Sequence, residues 1–157
     1  MGMELDRNLK IDSVSRLCPT PPHQIAPDRS ITEAVALMRS EKVGCLLVCR
    51  EEELIGILTE RDLMRRVFAP GLPMCTRVEE CMTANPVTVS SKESIRVAFE
   101  RMEKGGYRHL PVLNEKQRLV GILSIKRIVH YLVEHFPNLV YTQPPNLHGI
   151  PQKREGA

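Results

Sequence analysis

Gly56-Ile57-Leu58-Thr59-Glu60-Arg61-Asp62 has a counterpart in Gly121-Ile122-Leu123-Ser124-Ile125-Lys126-Arg127, at an offset of 65 residues. Toward the N-terminus the offset becomes 64 and runs without a gap from Val14–Val48 over Val78–Val112. Pro22 falls on Pro86, Ser30 on Ser94, Ile31 on Ile95, Ala34 on Ala98, Met38 on Met102, Leu46 on Leu110 and Val48 on Val112. One residue inserted in a turn after Val48 accounts for the change of offset. A spacing that holds through apolar and turn positions alike marks an internal repeat.

Both copies read the same way. Val14–Ile25 and Val78–Val89 are polar, proline-containing leads into a short strand. Ser30 then opens a helix, with Glu33 three residues on to complete a capping box. Ile31, Ala34, Val35 and Met38 share one face of that helix, and Ile95, Ala98, Phe99 and Met102 share one face of its counterpart. A strand follows (Cys45–Cys49 or His109–Leu113), then a polar turn (Arg50–Glu53 or Asn114–Arg118), then a second strand (Leu54–Leu58 or Leu119–Leu123). A last helix turns Leu63, Val67 and Phe68 inward, or Ile128, Val129, Leu132 and Phe136. Gly105-Gly106 is a helix stop rather than a phosphate loop. The order β-α-β-β-α, twice, places the chain in the mixed α/β (α+β) class.

The expected division is an N-terminal lead (1–13), repeat 1 (14–68), a link containing Pro70, Gly71 and Pro73 (69–77), repeat 2 (78–136) and an extended tail (137–157). Leu139, Val140 and Tyr141 are expected to pack the tail locally, and Lys153–Ala157 to fray. A unit of ~55–60 residues buries too little surface to be secure alone. Two such units packed sheet to sheet would share a core under a pseudo-twofold.

Composition narrows the functional classes. The 157 residues are 42% apolar and 26% charged, ordinary values for a globular chain. No apolar run reaches the ~18 residues of a membrane span, and Met1-Gly2-Met3-Glu4-Leu5-Asp6 is too acidic for a signal peptide. A cytoplasmic location is the expectation. A net charge of +3 with dispersed charges, 4% aromatics and no Trp argues against nucleic acid as the main partner. The five cysteines (Cys18, Cys45, Cys49, Cys75, Cys81) form no C-x-x-C pair and share no ligand spacing with the five histidines. They read as reduced thiols, with no metal site. No G-x-S-x-G, H-E-x-x-H, P-loop or G-x-G-x-x-G is present, so no enzymatic activity is expected.

The chain resembles a tandem CBS-domain pair, or Bateman module. Val78-Glu-Glu-Cys-Met82-Thr83-Ala-Asn85-Pro86-Val87-Thr88-Val89 is similar to the opening of such a domain, and Tyr107-Arg108-His109-Leu110-Pro111-Val112 to its middle strand. Gly56–Asp62 matches the family's G-h-x-[T/S]-x-x-D signature. The resemblance covers residues 14–136. It implies a regulatory module, without a cofactor, that binds adenosine-containing ligands such as AMP, ADP, ATP, NAD or S-adenosylmethionine, and that often forms a flat homodimer.

The resemblance also implies a site. Asp62 would accept from the ribose hydroxyls through charge-assisted bonds of about 1.5–3 kcal/mol, with Thr59 beside it where strand becomes helix. Thr-x-x-Asp is equally a capping box, and a cap alone accounts for both residues; the repeat and the preceding Gly-Ile-Leu favour the ribose. In copy two Arg127 stands at the Asp62 position, and a guanidinium cannot accept from a diol. One competent ribose site is therefore expected, with the second empty or altered. Arg108, His109 and Lys126 would reach the phosphate, Pro86-Val87-Thr88 would form the adenine slot with Val87 against the ring, and Met82 would help line it. Phosphate-bearing ligands are preferred, AMP first, with the signal passed in trans to another protein. The alternative is a ligand-free dimerisation or docking module. Arg61, Arg65 and Arg66 read as the solvated face of an amphipathic helix.

Overall fold

A computed structural model describes residues 2–137. The expectations for the tail beyond Pro137 lie outside the described residues. Helix α1 (Gly2–Ile11) comes first, then a 3-10 turn (Val14–Leu17) and strand β1 (Gln24–Ile25). Helix α2 (Ile31–Glu41) and strands β2 (Cys45–Arg50) and β3 (Glu53–Thr59) follow. A single turn, α3 (Glu60–Asp62), runs on as π-helix over Leu63–Phe68. The second copy has α4 (Val78–Cys81), β4 (Thr83–Ala84), β5 (Val89–Ser90), α5 (Ile95–Gly105), β6 (His109–Leu113), β7 (Leu119–Ser124) and α6 (Ile125–His135). This is a mixed α+β fold of two sheets and two repeats.

Local chemistry explains the element ends. The Ser30 hydroxyl accepts from the Glu33 N–H at 3.2 Å, and the Glu33 carboxylate accepts from the Ser30 N–H at 2.8 Å. Ser94 caps α5 with its hydroxyl arm alone, accepting from the Val97 N–H at 3.3 Å. Both helices end in a left-handed residue, Lys42 (φ 55°) and Gly106 (φ 67°), which stand at equivalent positions. Glycine adopts that conformation without a Cβ penalty, so Gly106 is the unstrained version of the stop.

The strands repeat residue for residue. In β2–β3, Leu46 faces Leu58 and Val48 faces Gly56; in β6–β7, Leu110 faces Leu123 and Val112 faces Gly121. Each first strand is parallel to the second, Ile25 beside Val48 and Val89 beside Val112.

The leads cross over. Strand β4 pairs with β3 of the first repeat, Gly56 opposite Ala84, and the Thr20 backbone bridges to Ile122 of β7. Val78 and Cys81 are buried with Ile31, Leu46 and Leu58, whereas Val14 and Leu17 are buried with Ile95, Leu110 and Leu123. Each repeat's opening segment thus completes the other repeat's core. A third cluster (Cys45, Leu47, Cys49, Ile57 and Ile122) joins the two sheets face to face. Sheet-to-sheet packing of two half-cores follows from how little one copy can bury alone.

Three residues assigned inward-facing positions are exposed. Phe68 is 48% exposed, Phe99 41% and Val129 52%. The π-helical turn advances fewer degrees per residue than an α-helix, which moves Phe68 off the buried stripe. Phe99 and Val129 sit at the margins of stripes carried by Ile95, Ala98 and Met102 and by Ile128 and Tyr131. The N-terminal lead is helical through Ile11: α1 lies on α5, with Asp6 ion-paired to both Lys10 and Arg96. Asp12 holds it down by accepting from the buried Tyr131 hydroxyl. Among the described residues, no helix is long and apolar enough to cross a membrane, and no group of three or more His, Cys, Asp or Glu could hold a metal ion.

Candidate functional site

The crossing of the leads opens a cleft of about 640 Å³ between the repeats. One wall comes from the end of β3 and the turn after it (Ile57, Thr59 to Asp62, Met64 to Arg66). The second is the crossed lead, Thr83 to Val87, and the third is the approach to β6, Gly105 to His109. A volume of that size suits a small organic ligand.

Asp62 is the only buried charged residue among the described residues, 9% exposed. Its Oδ2 accepts from the Thr59 N–H and the Thr59 hydroxyl, both at 2.9 Å, while the Asp62 N–H donates back to Thr59 Oγ1 at 3.2 Å. Its Oδ1 accepts from the Thr83 hydroxyl at 3.1 Å, with Arg66 Nε 3.8 Å away. A carboxylate has about four acceptor positions, so the three direct bonds leave about one without a hydrogen bond. The capping box is real, and the capped carboxylate still lines the cavity. The equivalent turn in repeat 2 lacks the box: Ser124 caps nothing with its side chain, and the Arg127 side chain has no acceptor to return to the Ser124 N–H.

The expected site residues divide. Thr59, Asp62, Val87, Arg108 and His109 line this cleft; Thr88 and Lys126 lie outside its lining. The Thr88 carbonyl accepts from Arg101 at 2.8 Å, and Arg101 is held in turn by both Glu93 oxygens at 2.7 Å. Those Arg101 hydrogen bonds keep the Glu93 carboxyl below its ordinary value despite its burial. Thr88 thereby anchors the lead that presents Val87. Lys126 is exposed on α6.

Sequence reading left Glu60, Arg61, Arg65, Arg66 and Tyr107 out of the site. Arg61 and Arg65 line the cleft with Asp62 because residues four apart lie on one side of the turn after β3; spacing alone does not show what that side meets. Arg66 donates to the Met82 carbonyl at 2.6 Å and ties the lead to the helix. Arg61 donates to the Gly106 carbonyl at 3.3 Å, across the boundary between the repeats. Tyr107 precedes the Arg108-His109 pair, and that adjacency was the available signal.

A second, smaller cleft of about 390 Å³ occupies the pseudo-equivalent place, lined by Thr20, Pro21, His23, Val43, Cys45, Ile122 and Ser124. Gly44 and His109 border both clefts. Burial pushes the His109 imidazole below its ordinary value; Glu60 opposes this, and Lys126 and Arg108 reinforce it. His109, which sequence reading placed within reach of the phosphate, is therefore harder to protonate than an ordinary histidine. Burial, aided by Glu60, also pushes the Cys45 thiol up to about 12, so it is inert.

The comparisons with known proteins agree with this architecture. The protein YhcV of Bacillus subtilis (strain 168), a CBS domain-containing protein, is 33% identical over 101 residues, 64% of this chain and 71% of that one. The CBS domain protein of Pyrobaculum aerophilum complexed with AMP superposes with a TM-score of 0.70 at 25% identity, covering 78% of this chain and 99% of that chain. The CBS domain pair of protein MJ0100, in complex with 5'-methylthioadenosine and S-adenosyl-L-methionine, superposes with a TM-score of 0.71 at 25% identity, covering 79% and 98%. Against the Arabidopsis thaliana relative CBSCBSPB3, 30% identical over 115 residues, the chain spans about a fifth (21%) of its length. The family model of the CBS domain matches residues 14–69 and 78–134, the two halves whose leads cross over. With both halves matched and both cores built alike, the chain belongs to the CBS-domain family as a tandem pair.

Proposed function

We propose that this CBS pair is a regulatory module, not an enzyme, that binds an adenosine nucleotide in the larger cleft, with AMP its preferred ligand. The observation that carries the reading is the Asp62 carboxylate: buried, lining the cleft, with one acceptor position open and Arg108 of the other repeat in the same lining. A ribose diol suits the carboxylate, and a phosphate suits the guanidinium. Val87, exposed on the crossed lead, offers an apolar surface for a base. The AMP and 5'-methylthioadenosine complexes of the two solved relatives support an adenosine ligand. Four arginines against Glu60 and Asp62 in the lining favour a phosphate-bearing one.

The proposal extends to assembly and signalling. Phe99 and Val129 are exposed on the neighbouring helices α5 and α6, and Met64, the repeat-1 counterpart of Val129, is 61% exposed. Apolar exposure recurring at an equivalent position in both repeats fits a second copy of the chain. The cleft is bounded by both repeats, so occupancy acts on their relative orientation, which a separate partner protein reads. A ligand shifts such an equilibrium only by its differential affinity for the two orientations.

A second reading has its own support. The reciprocal bonds between Thr59 and Asp62 describe a complete helix cap, as a ligand-free docking module requires. Thermal unfolding with a panel of adenosine compounds separates the two. At a hundred times its dissociation constant, AMP adds about 2.7 kcal/mol and raises Tm by roughly 5–10 °C. The rise vanishes in Asp62→Ala and survives in Arg127→Ala. No rise with any compound leaves the docking module.

A further inference from the structure

The three walls of the larger cleft are joined unequally. The crossed lead is fastened to the end of β3 by strand pairing, with Ile57 opposite Thr83 and Gly56 opposite Ala84. The Thr83–Asp62 bond and Arg66, which donates to the Met82 carbonyl at 2.6 Å, strengthen that joint. The approach to β6 is fastened to the turn after β3 by one side-chain hydrogen bond among the described residues, from Arg61 to the Gly106 carbonyl at 3.3 Å. Both partners are exposed, so water competes for the bond. This seam between the repeats is the one that parts at least cost.

The repeat-2 side of the seam is thinly held. Glu103 to Arg108 are all exposed. Gly106 is left-handed (φ 67°), and a Cβ there would meet nothing within 4 Å. A Cβ on Gly105 would instead run into the Tyr107 ring, so the ring lies directly on that glycine. Tyr107 is 41% exposed at the edge of the cleft. The other copy is built differently. Glu41-Lys42-Val43 stands where Gly105-Gly106-Tyr107 stands, and Val43 is half-buried in the lining of the smaller cleft. Lys126, the counterpart of Arg61, makes no such bond among the described residues.

We infer that the Arg61–Gly106 bond is a latch on the rim of the larger cleft: it holds the two repeats together across the seam, breaks to admit a ligand, and with the Tyr107 ring sets the rates of entry and release. The inference says where the cleft opens and which residues time it; its ligand rates rest on the nucleotide reading proposed above, and the latch itself does not. A single exposed bond suits a gate because it breaks and reforms readily. A gate is crossed in both directions, so weakening it speeds entry and release together.

Two measurements test the latch. Amide hydrogen exchange of the ligand-free protein reads the seam itself. Arg61→Ala is expected to speed exchange over residues 103–109 by at least roughly threefold, about what one net hydrogen bond is worth. Arg61→Lys, which keeps a donor, is expected to restore part of the protection. Stopped-flow mixing with N-methylanthraniloyl-AMP reads the gate. Arg61→Ala, and Gly105→Ala, whose Cβ displaces the Tyr107 ring, are each expected to raise the association and dissociation rates together by at least roughly threefold. Loss of a positive charge alone would slow association of the anion, so faster association in Arg61→Ala is the signature of the latch. The ligand-free melting temperature of each variant controls for folding. Unchanged exchange in Arg61→Ala overturns the latch. Faster exchange with slower or unchanged association overturns its role as a gate. Failure of wild type to bind the probe overturns the nucleotide reading and the gate with it, while the exchange result still decides the latch.

Discussion

The Thr83 hydroxyl donates to Asp62 Oδ1 at 3.1 Å, from the crossed lead of one repeat to the helix start of the other. On the nucleotide reading proposed above, the bond takes an acceptor position that a ribose hydroxyl would use. Thr83→Val removes the competitor. The expected outcome is a stability loss of about 1.5–3 kcal/mol, for one hydrogen bond to a charged partner, with AMP affinity unchanged or tighter. Chemical denaturation and titration calorimetry read the two quantities. A tenfold weaker AMP affinity would show that the hydroxyl itself contacts the ligand.

The two glycines beneath the crossing leads differ in tolerance. A Cβ on Gly56 would run into the flexible Met82 thioether, whereas a Cβ on Gly121 would meet the Pro19 ring at 2.9 Å and the Thr20 carbonyl at 3.1 Å. Methionine has rotamers to retreat into; a proline ring and a backbone oxygen do not. Gly121→Ala is expected to cost about 1–3 kcal/mol, the range for overpacking, and Gly56→Ala less. Equal losses in urea unfolding would mean that Met82 is as immobile as Pro19.

His109 has a pKa lowered by burial, so the unfolded chain binds its proton first as pH falls. Its contribution to stability is complete above about pH 6.5, the ordinary histidine value, and is lost progressively as pH drops toward the lowered folded value. The imidazole meets the opposing charge of Glu60 and the like charges of Arg108 and Lys126. His109→Gln is expected to flatten the stability profile between pH 7.5 and 5.5 relative to wild type. Parallel profiles for the two proteins would place the titration elsewhere.

Exposed Phe99 and Val129 supply the test of assembly. Sedimentation velocity is expected to find wild type as a dimer and the double variant Phe99→Asp with Val129→Asp as a folded monomer. Both side chains are exposed in the single chain, so the substitutions cost little folding energy there. A dimer that survives both changes would place the interface on another face.

Much of the fold was legible in short-range patterns. The Ser30–Glu33 cap, the Ile31–Ala34–Met38 stripe and the paired strands appear where the repeat puts them, because caps and amphipathic stripes are local properties. The family resemblance was legible too, in Gly56–Asp62 and Tyr107–Val112. The site was legible in part: Thr59, Asp62, Val87, Arg108 and His109 share one cleft, while Thr88 and Lys126 stand beside it. Arg61, Arg65 and Arg66 were read as a solvated face because spacing puts them on one side of a helix but does not show that this side meets the other repeat.

By itself the sequence determined the repeat, its β-α-β-β-α order, the cap positions and the asymmetry between Asp62 and Arg127. These depend on residues within a few positions of one another or on comparison of two like segments. Tertiary structure alone decided that each lead completes the other repeat's core and that His109 is half-buried between two clefts. It alone decided that Asp62 meets Thr83 and that Arg65 faces the same cavity as Arg108. Those relationships join residues distant in the chain, and they arise because neither half buries enough surface until the leads have crossed.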